Sequence, residues 1–416
     1  MSRATEYCNN VFDGTHDSPK PCKTGHKLLT SKNIMNGYID KTDSYYISDE
    51  DYNAINKRSQ VKQWDILFSM IGTVGNVCII TDKEIDFAIK NMGVFSCKNE
   101  YEAKWLYFYL QSNYVKRVIQ NYLNGAVQKF LPLGKLRDFE IPDFDESKKQ
   151  IVDLLWNIET KIRNNEKIIT ELQSMAKTIY DYWFLQYEFP NQEGKPYKSS
   201  GGKMEYNEEL KKEIPEGWKV NKAGEVISVV RGISYKPKDE IKEINKDTIS
   251  LLKSNNIQNG SINFEQPVYL DKKMANEEQW LTKGSVFITM SSGSKAHMGK
   301  TAIVYETLPY VYGAFCAKIN IKPSHCGFIS TYFRSSHFRT YIENVTLGTN
   351  INNISNDQLT NIKLAFPEEI VLEKFEKIIK PIFEKQGKII FENQELTKLR
   401  DELLPLLMNG QVSFKN

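Results

Sequence analysis

Residues 28–39, LLTSKNIMNGYI, recur without a gap as LLKSNNIQNGSI at 251–262, with eight of the twelve positions identical at an offset of 223. The same offset carries Gly125 onto Gly348 and Leu136 onto Leu359. WDILFSMIGTVGNVCII (64–80) has a looser counterpart in SVFITMSSGSKAHMGKTAIV (285–304), whose polar loop is a few residues longer. The helical pattern of 102–123 recurs around STYFRSSHFRTYIENV (330–345). An offset held across a strand, a loop and a helix means a duplicated unit of about 220 residues, too long for a solenoid repeat. Each unit reads as one mixed α/β (α+β) globular domain followed by one long helix.

The first long helix is written in 146–184. Ile151, Leu155, Ile158, Ile162, Asn165, Ile169, Leu172, Ala176, Ile179 and Trp183 step by four, three, four, three to the end, with no Pro or Gly among them. Such a seam asks for a partner helix along its length. At ~1.5 Å per residue the stretch makes a rod of roughly 58 Å. Asn165 is the one polar group in it, a type of residue that sets register. Shifted by 224, the seam falls on Phe375, Ile379, Ile382, Gln386, Ile389, Asn393, Leu396, Arg400, Leu403 and Leu407. Gln386, Asn393 and Arg400 are polar there. Pro381 is expected to kink or interrupt this second helix, and Gly387 to make it less regular. Two ordinary core helices are the plainer reading, but the sustained heptad favours a coiled coil joining two domains.

The expected division is therefore a first globular domain over 1–145, a spacer helix over 146–187 and a Gly/Ser/Lys/Pro-rich linker or extended arm over 188–217. A second domain over 218–368, a second helix over 369–408 and a tail over 409–416 follow. If the two helices pack antiparallel, the two domains sit at opposite ends about a pseudo-twofold. Such an object suits two equivalent things a fixed distance apart. A duplex with two half-sites is one candidate. Two copies of a protein subunit, on a protein-only scaffold, is the other.

Catalytic constellations are missing. No GxGxxG follows a strand, no GxxxxGK[ST] occurs, and neither Asn-Pro-Pro-Tyr nor Asp-Pro-Pro-Tyr is present. The five histidines form neither HExxH nor HxH, and the six cysteines no CxxC, so no metal site is expected. His325-Cys326 reads as a surface turn, His16 with Asp13 and Asp17 as a capped loop, and Asp49-Glu50-Asp51 as a solvated helix start. The cysteine usage suits a reducing compartment, and there is neither a signal peptide nor a run of about 18 apolar residues. The expected location is the cytoplasm. The net charge of +3 does not announce nucleic acid, and residues 1–145 carry 18 basic and 18 acidic side chains.

What the chain does offer is three pairs of polar loops at matching places. The first pair is Thr30, Ser31, Lys32 and Asn33 against Lys253, Ser254, Asn255 and Asn256. The second is Ser69, Thr73 and Asn76 against Ser291, Ser292, Ser294, Lys295 and His297. The third is Gln128 and Lys129 against Thr349, Asn350, Asn352 and Asn353. These residue types read base edges and hold phosphates. Different side chains on similar loops suit two domains that read different sequences.

Several stretches then become familiar: WDILFSMIGTVGNV, LPLGKLRDFEIP leading into the heptad helix, and IYDYWFLQYEFPN with GKPYKSSGGKM three residues on. IPEGWKV at the opening of the second repeat and LRDELLPLLMNGQV complete the set. The chain resembles, over nearly its whole length, the specificity subunit of type I restriction-modification systems. The resemblance implies two target recognition domains, each reading half of a bipartite double-stranded DNA target, and an antiparallel helical spacer that fixes the gap. It implies two modification subunits docked around the helices, bringing S-adenosylmethionine and adenine methylation. It also implies two restriction subunits bringing ATP/Mg-driven translocation and cleavage. The chain itself would hold no cofactor and catalyse nothing. One departure is the Gly217-Trp218-Lys219-Val220 lead-in, whose counterpart in repeat one, which starts at Met1, is expected to be shortened or supplied elsewhere.

Overall fold

A computed structural model of the chain describes residues 1–35, 37–124, 130–346, 353–408 and 410–412. It divides into two compact units: Met1–Asn164 with Asn393–Asn416, and Asn165–Glu392. The division falls inside both long helices, Lys149–Tyr180 and Glu369–Met408. Each unit thus contains a segment of each helix.

Within the first unit a four-stranded antiparallel sheet runs in the order Asn10–Asp13, Met92–Ser96, Asp65–Ser69, Val77–Ile79. A three-stranded sheet has His26–Thr30 at its centre, antiparallel to Tyr45–Ile47 and parallel to Phe87–Lys90. The second unit repeats both. Its four-stranded sheet runs Ile227–Arg231, Cys316–Ile321, Val286–Thr289, Thr301–Ile303, and its three-stranded sheet has Thr248–Leu252 between Val268–Asp271 and Tyr310–Tyr312. The central strands are apolar on both faces, as strands covered on both sides must be: Ile66, Leu67 and Phe68 in one unit and Val286, Phe287 and Ile288 in the other are fully buried. The lead-in strand Lys219–Lys222 pairs with Lys363–Phe366, and Ser2–Arg3 pairs likewise with Glu140–Ile141. Ser2–Arg3 is thus a two-residue counterpart, in repeat one, of the four-residue strand Lys219–Lys222.

A backbone contact that only glycine permits recurs in both units. A Cβ on Gly14 would lie 2.5 Å from the carbonyl oxygen of Ile89, and one on Gly232 would lie 2.3 Å from those of Tyr312 and Gly313. The residues that follow, Thr15 and Ile233, bridge in parallel to Lys90 and Gly313.

The long helices pack antiparallel inside each unit. In the first, Ile151, Leu155, Leu404 and Leu407 share one apolar cluster, and Asn393 Nδ2 donates to Ile162 O at 3.2 Å. In the second, the ring centroids of Trp183 and Phe375 lie 5.6 Å apart, and Asn165 Nδ2 donates to a Glu392 carboxylate oxygen at 2.8 Å. Ile158 and Ile162 are also buried, whereas Ile169, Leu172, Ile179, Leu396 and Leu403 are half-buried. On the second helix Phe375, Ile379 and Ile389 are buried, but Phe383 takes the place expected for Ile382, which is half-buried. Asn165 is 2 % exposed, so a polar group in the seam is bonded rather than solvated.

Two expectations are corrected. Pro381 does not interrupt the second helix, which runs unbroken from Glu369 to Met408. Pro381 is exposed, and so is Lys377, whose carbonyl has no N–H of residue 381 to accept from. The helix also runs through Gly387, where Tyr305 packs so closely that an added Cβ would lie 2.8 Å from its own Cβ. The 188–217 stretch is not an extended arm. Met204–Asn207 and Lys212–Pro215 form a hairpin, and Phe189, Ile214 and Trp218 anchor the region in the core of the second unit.

Candidate nucleic-acid interface

The first loop of each unit is a single 3₁₀ turn, Ser31–Asn33 or Ser254–Asn256. Its asparagine is used inside the fold. Asn33 Oδ1 accepts from the Thr30 backbone N–H at 2.8 Å and Nδ2 donates to Asp40 O at 2.9 Å. Asn256 does the same with Lys253 N–H and Asn263 O, both at 2.8 Å. Ser31 Oγ donates to Asn91 O and accepts from the Met70 N–H. Ser31, Asn33 and Asn256 are buried and hold the turn, as is Ser69 at the end of its strand. That leaves them poorly placed to reach a duplex. Lys32 and Asn255 are exposed, and Thr30, Lys253 and Ser254 are half-buried.

Second and third loops meet in each unit by backbone pairing. Ile71 bridges Phe130 and Ser291 bridges Asn353, while Leu131 N–H donates to Met70 O and Ile354 N–H to Met290 O. Thr73 is exposed, and Asn76 Nδ2 donates to Ile34 O at 3.0 Å, tying the second loop to the first. In the second unit Ser294, Lys295, His297 and Asn353 are exposed, and Ser291 and Ser292 are half-buried. Arg231 secures the exit of the third loop there, donating to Asn356 Oδ1 and to Ile354 O. Burial lowers the pKa of that guanidinium. Gln128, Lys129, Thr349, Asn350 and Asn352 lie outside the described residues.

The second loop rests on a helix in both units: Gly75 lies against Ile119 of Asn113–Leu123, and Gly299 against Ile342 of Ser336–Thr346. Arg339 of the latter donates to the carbonyls of Lys295 and Met298. These helices bring residues that loop composition alone did not select. Tyr114, Lys116, Arg117 and Tyr122 are exposed on the first, and Lys135 Nζ stands 5.7 Å from the Tyr122 ring centroid. The signal was available in NYVKRVIQNYL, whose buried Val115 and Ile119 leave the basic and aromatic side chains outward.

His16 makes its contacts within its own domain, to Asp13 at 3.1 Å and to Asn91 Oδ1 at 2.7 Å. Among the described residues no group of three or more His, Cys, Asp or Glu side chains could hold a metal ion. No described helix is long and apolar enough to cross a membrane.

The sequence model of a family described as "Type I restriction modification DNA specificity domain" matches residues 20–174 and 215–400. The chain belongs to this family. The second matched segment of the specificity-domain family takes in a whole four-stranded and a whole three-stranded sheet, and the first takes in the same pair of sheets except the edge strand Asn10–Asp13. The EcoKI specificity subunit of Escherichia coli K12 is 31% identical over 209 residues, 49% of this chain and 45% of that protein. The StySPI specificity subunit of Salmonella potsdam is 28% identical over 210 residues, 48% of this chain and 44% of the relative. The matches thus span about half the length of these curated relatives. A crystal structure of a type I restriction-modification S subunit from M. genitalium shares the fold, with a TM-score of 0.54 at 15% identity, covering 98% of this chain and 95% of that one.

Proposed function

We propose that the chain is the non-catalytic DNA-recognition subunit of a type I restriction-modification complex. Each unit reads one half of a bipartite duplex target, and the long helices set the gap and dock two modification subunits. S-adenosylmethionine belongs to those subunits, and ATP with Mg to two restriction subunits, in the cytoplasm. The observation that carries this reading is that the same loop pair is built twice, Ile71 to Phe130 and Ser291 to Asn353, with different side chains on each copy. Two copies of one scaffold with unlike loops suit two unlike half-sites. The balanced charge of residues 1–145 suits a domain whose partners supply part of the phosphate contact.

The deciding experiment maps methylated adenines in DNA from cells carrying the complex. Exchanging 218–368 for the corresponding domain of a relative should change one half of the methylated sequence and leave the other intact. An unchanged target would sink the reading. Gln128→Ala or Lys129→Ala should weaken one half-site only, and Asn350→Ala or Asn352→Ala only the other, as read by methylation of duplexes altered in one half at a time. Equal loss of both halves would remove these residues from base readout.

A further inference from the structure

We propose that Phe315 is a wedge that inserts between adjacent base pairs of the half-site read by the second unit. This rests on the function proposed above and assigns a specificity-determining side chain within it.

Phe315 is 70% exposed, more than any other large apolar side chain among the described residues. Isolated exposed apolar groups are common and need no explanation, but this one is carried on backbone that is hydrogen-bonded on both sides. Its carbonyl accepts from the Met290 N–H at 2.8 Å and the Ser291 N–H at 3.0 Å. On one side Ala314 N–H donates to Ile233 O and Gly313 N–H to Leu252 O, both at 2.9 Å. On the other, Cys316 is fully buried in the central strand. An aromatic ring presented from fixed backbone loses little freedom on binding.

Phe315 is also an inserted residue. Thr15 bridges Lys90 in the first unit as Ile233 bridges Gly313 in the second. Gly14 N–H donates to Met92 O as Gly232 N–H does to Cys316 O, and Asn91 N–H donates to Thr15 O as Ala314 N–H does to Ile233 O. The first unit therefore passes from Lys90 to Met92 through Asn91 alone. The second passes from Gly313 to Cys316 through Ala314 and Phe315. The added residue is the exposed phenylalanine, and only one unit has it.

Its surroundings select the occupant. Phe315 is bonded to Ser291, which bridges Asn353, so the ring stands where the second and third loops meet. Exposed Lys295 and His297 lie on the same second loop, and exposed Lys236 and Lys238 follow Tyr235, whose ring lies near Gly313. A lone aromatic among hydroxyl, amide and cationic groups suits stacked bases flanked by phosphates better than an apolar protein face.

The test uses the chain assembled with two modification subunits and duplexes carrying 2-aminopurine at successive positions of the second unit's half-site. Binding by the unaltered complex should raise fluorescence at one step. Phe315→Ala should abolish that rise and weaken binding roughly 5- to 100-fold, while Phe315→Tyr keeps both. Duplexes altered in the other half-site should be discriminated as before. A complex that reads its target but is indifferent to Phe315→Ala overturns the wedge alone. So does a Phe315→Ala chain that recovers less modification subunit, which would make the ring a protein contact. An unaltered complex that binds every duplex alike overturns the recognition reading and the wedge with it.

Discussion

Glu159→Gln is expected to destabilise the first unit by about 3–5 kcal/mol, the usual cost of removing one partner from a buried ion pair. Glu159 is 3% exposed. Its carboxylate accepts from Tyr107 Oη at 2.8 Å, Arg163 Nε at 3.2 Å and Arg400 Nη1 at 2.9 Å. Burial by itself pushes such a carboxyl up, but the two guanidinium groups and the phenol outweigh it and hold the pKa below the usual glutamate range. The glutamine variant would leave Arg163 without its carboxylate partner and Arg400 with only the more exposed Asp401, at 2.9 Å. The pH dependence has a definite sign. A carboxyl whose folded pKa is depressed stabilises above its unfolded pKa of about 4.3 and loses that contribution as pH falls through the folded value. Urea unfolding at pH 7 should therefore show the full gap between the native chain and Glu159→Gln. The gap should narrow on acidification below about pH 4. A gap independent of pH would mean that packing, not charge, dominates the site. Removing Arg400 as well should cost less than the two single losses added together, since both act on one interaction.

Substituting either of the buried glycines that meet backbone should disable one unit at a time. At Gly232 the added Cβ meets two carbonyl oxygens at 2.3 Å, and at Gly14 one at 2.5 Å. Backbone in a paired strand cannot swing aside as a side-chain end can, so Gly232→Ala should cost about 1–3 kcal/mol as overpacking and Gly232→Val more. The displaced neighbour is the Gly313–Cys316 turn that presents Phe315. Gly232→Val should thus abolish recognition of the second unit's half-site, and Gly14→Val that of the first. Thermal unfolding and methylation of duplexes altered in one half check this. Unaltered melting would show that the strands can separate freely.

Much of this was readable before any coordinates. The 223-residue offset shows because the loop chemistry Asn-x-x-Asn-Gly and the apolar strand cores recur in the same order, and that order fixed the duplicated α/β architecture. The heptad spacing likewise marked Ile151, Leu155, Ile158 and Ile162 as a buried face. What stayed hidden depends on partners remote in the chain. Ser31 and Asn33 look like free polar loop residues until Met70, Asn91 and Asp40 close on them. Phe315 looks like a core residue in a strand-like run, because its exposure depends on a one-residue insertion visible only against the hydrogen bonds of the other unit. The 188–217 stretch has the composition of a linker, and its apolar anchors Phe189 and Ile214, with Trp218 just beyond it, outweigh it. Pro381 obeys its local rule, but at an exposed position one missing hydrogen bond is too small a loss to break a helix fastened by Phe375, Ile379 and Phe383.

The sharing of each long helix between units has a consequence for how the protein is made. The second unit is one continuous stretch, 165–392, while the first needs 393–408 to cover Ile151 and Leu155 and to bring Arg400 to Glu159. During synthesis at about 5–20 residues per second, the ribosome works for roughly 10–50 s between the two pieces. Through that interval the domain translated first holds an open apolar face and a buried carboxylate without one of its arginines. Translation that stops short of Asn393 leaves that domain unsealed while the later one is already whole. The first unit to emerge is thus the last to be completed.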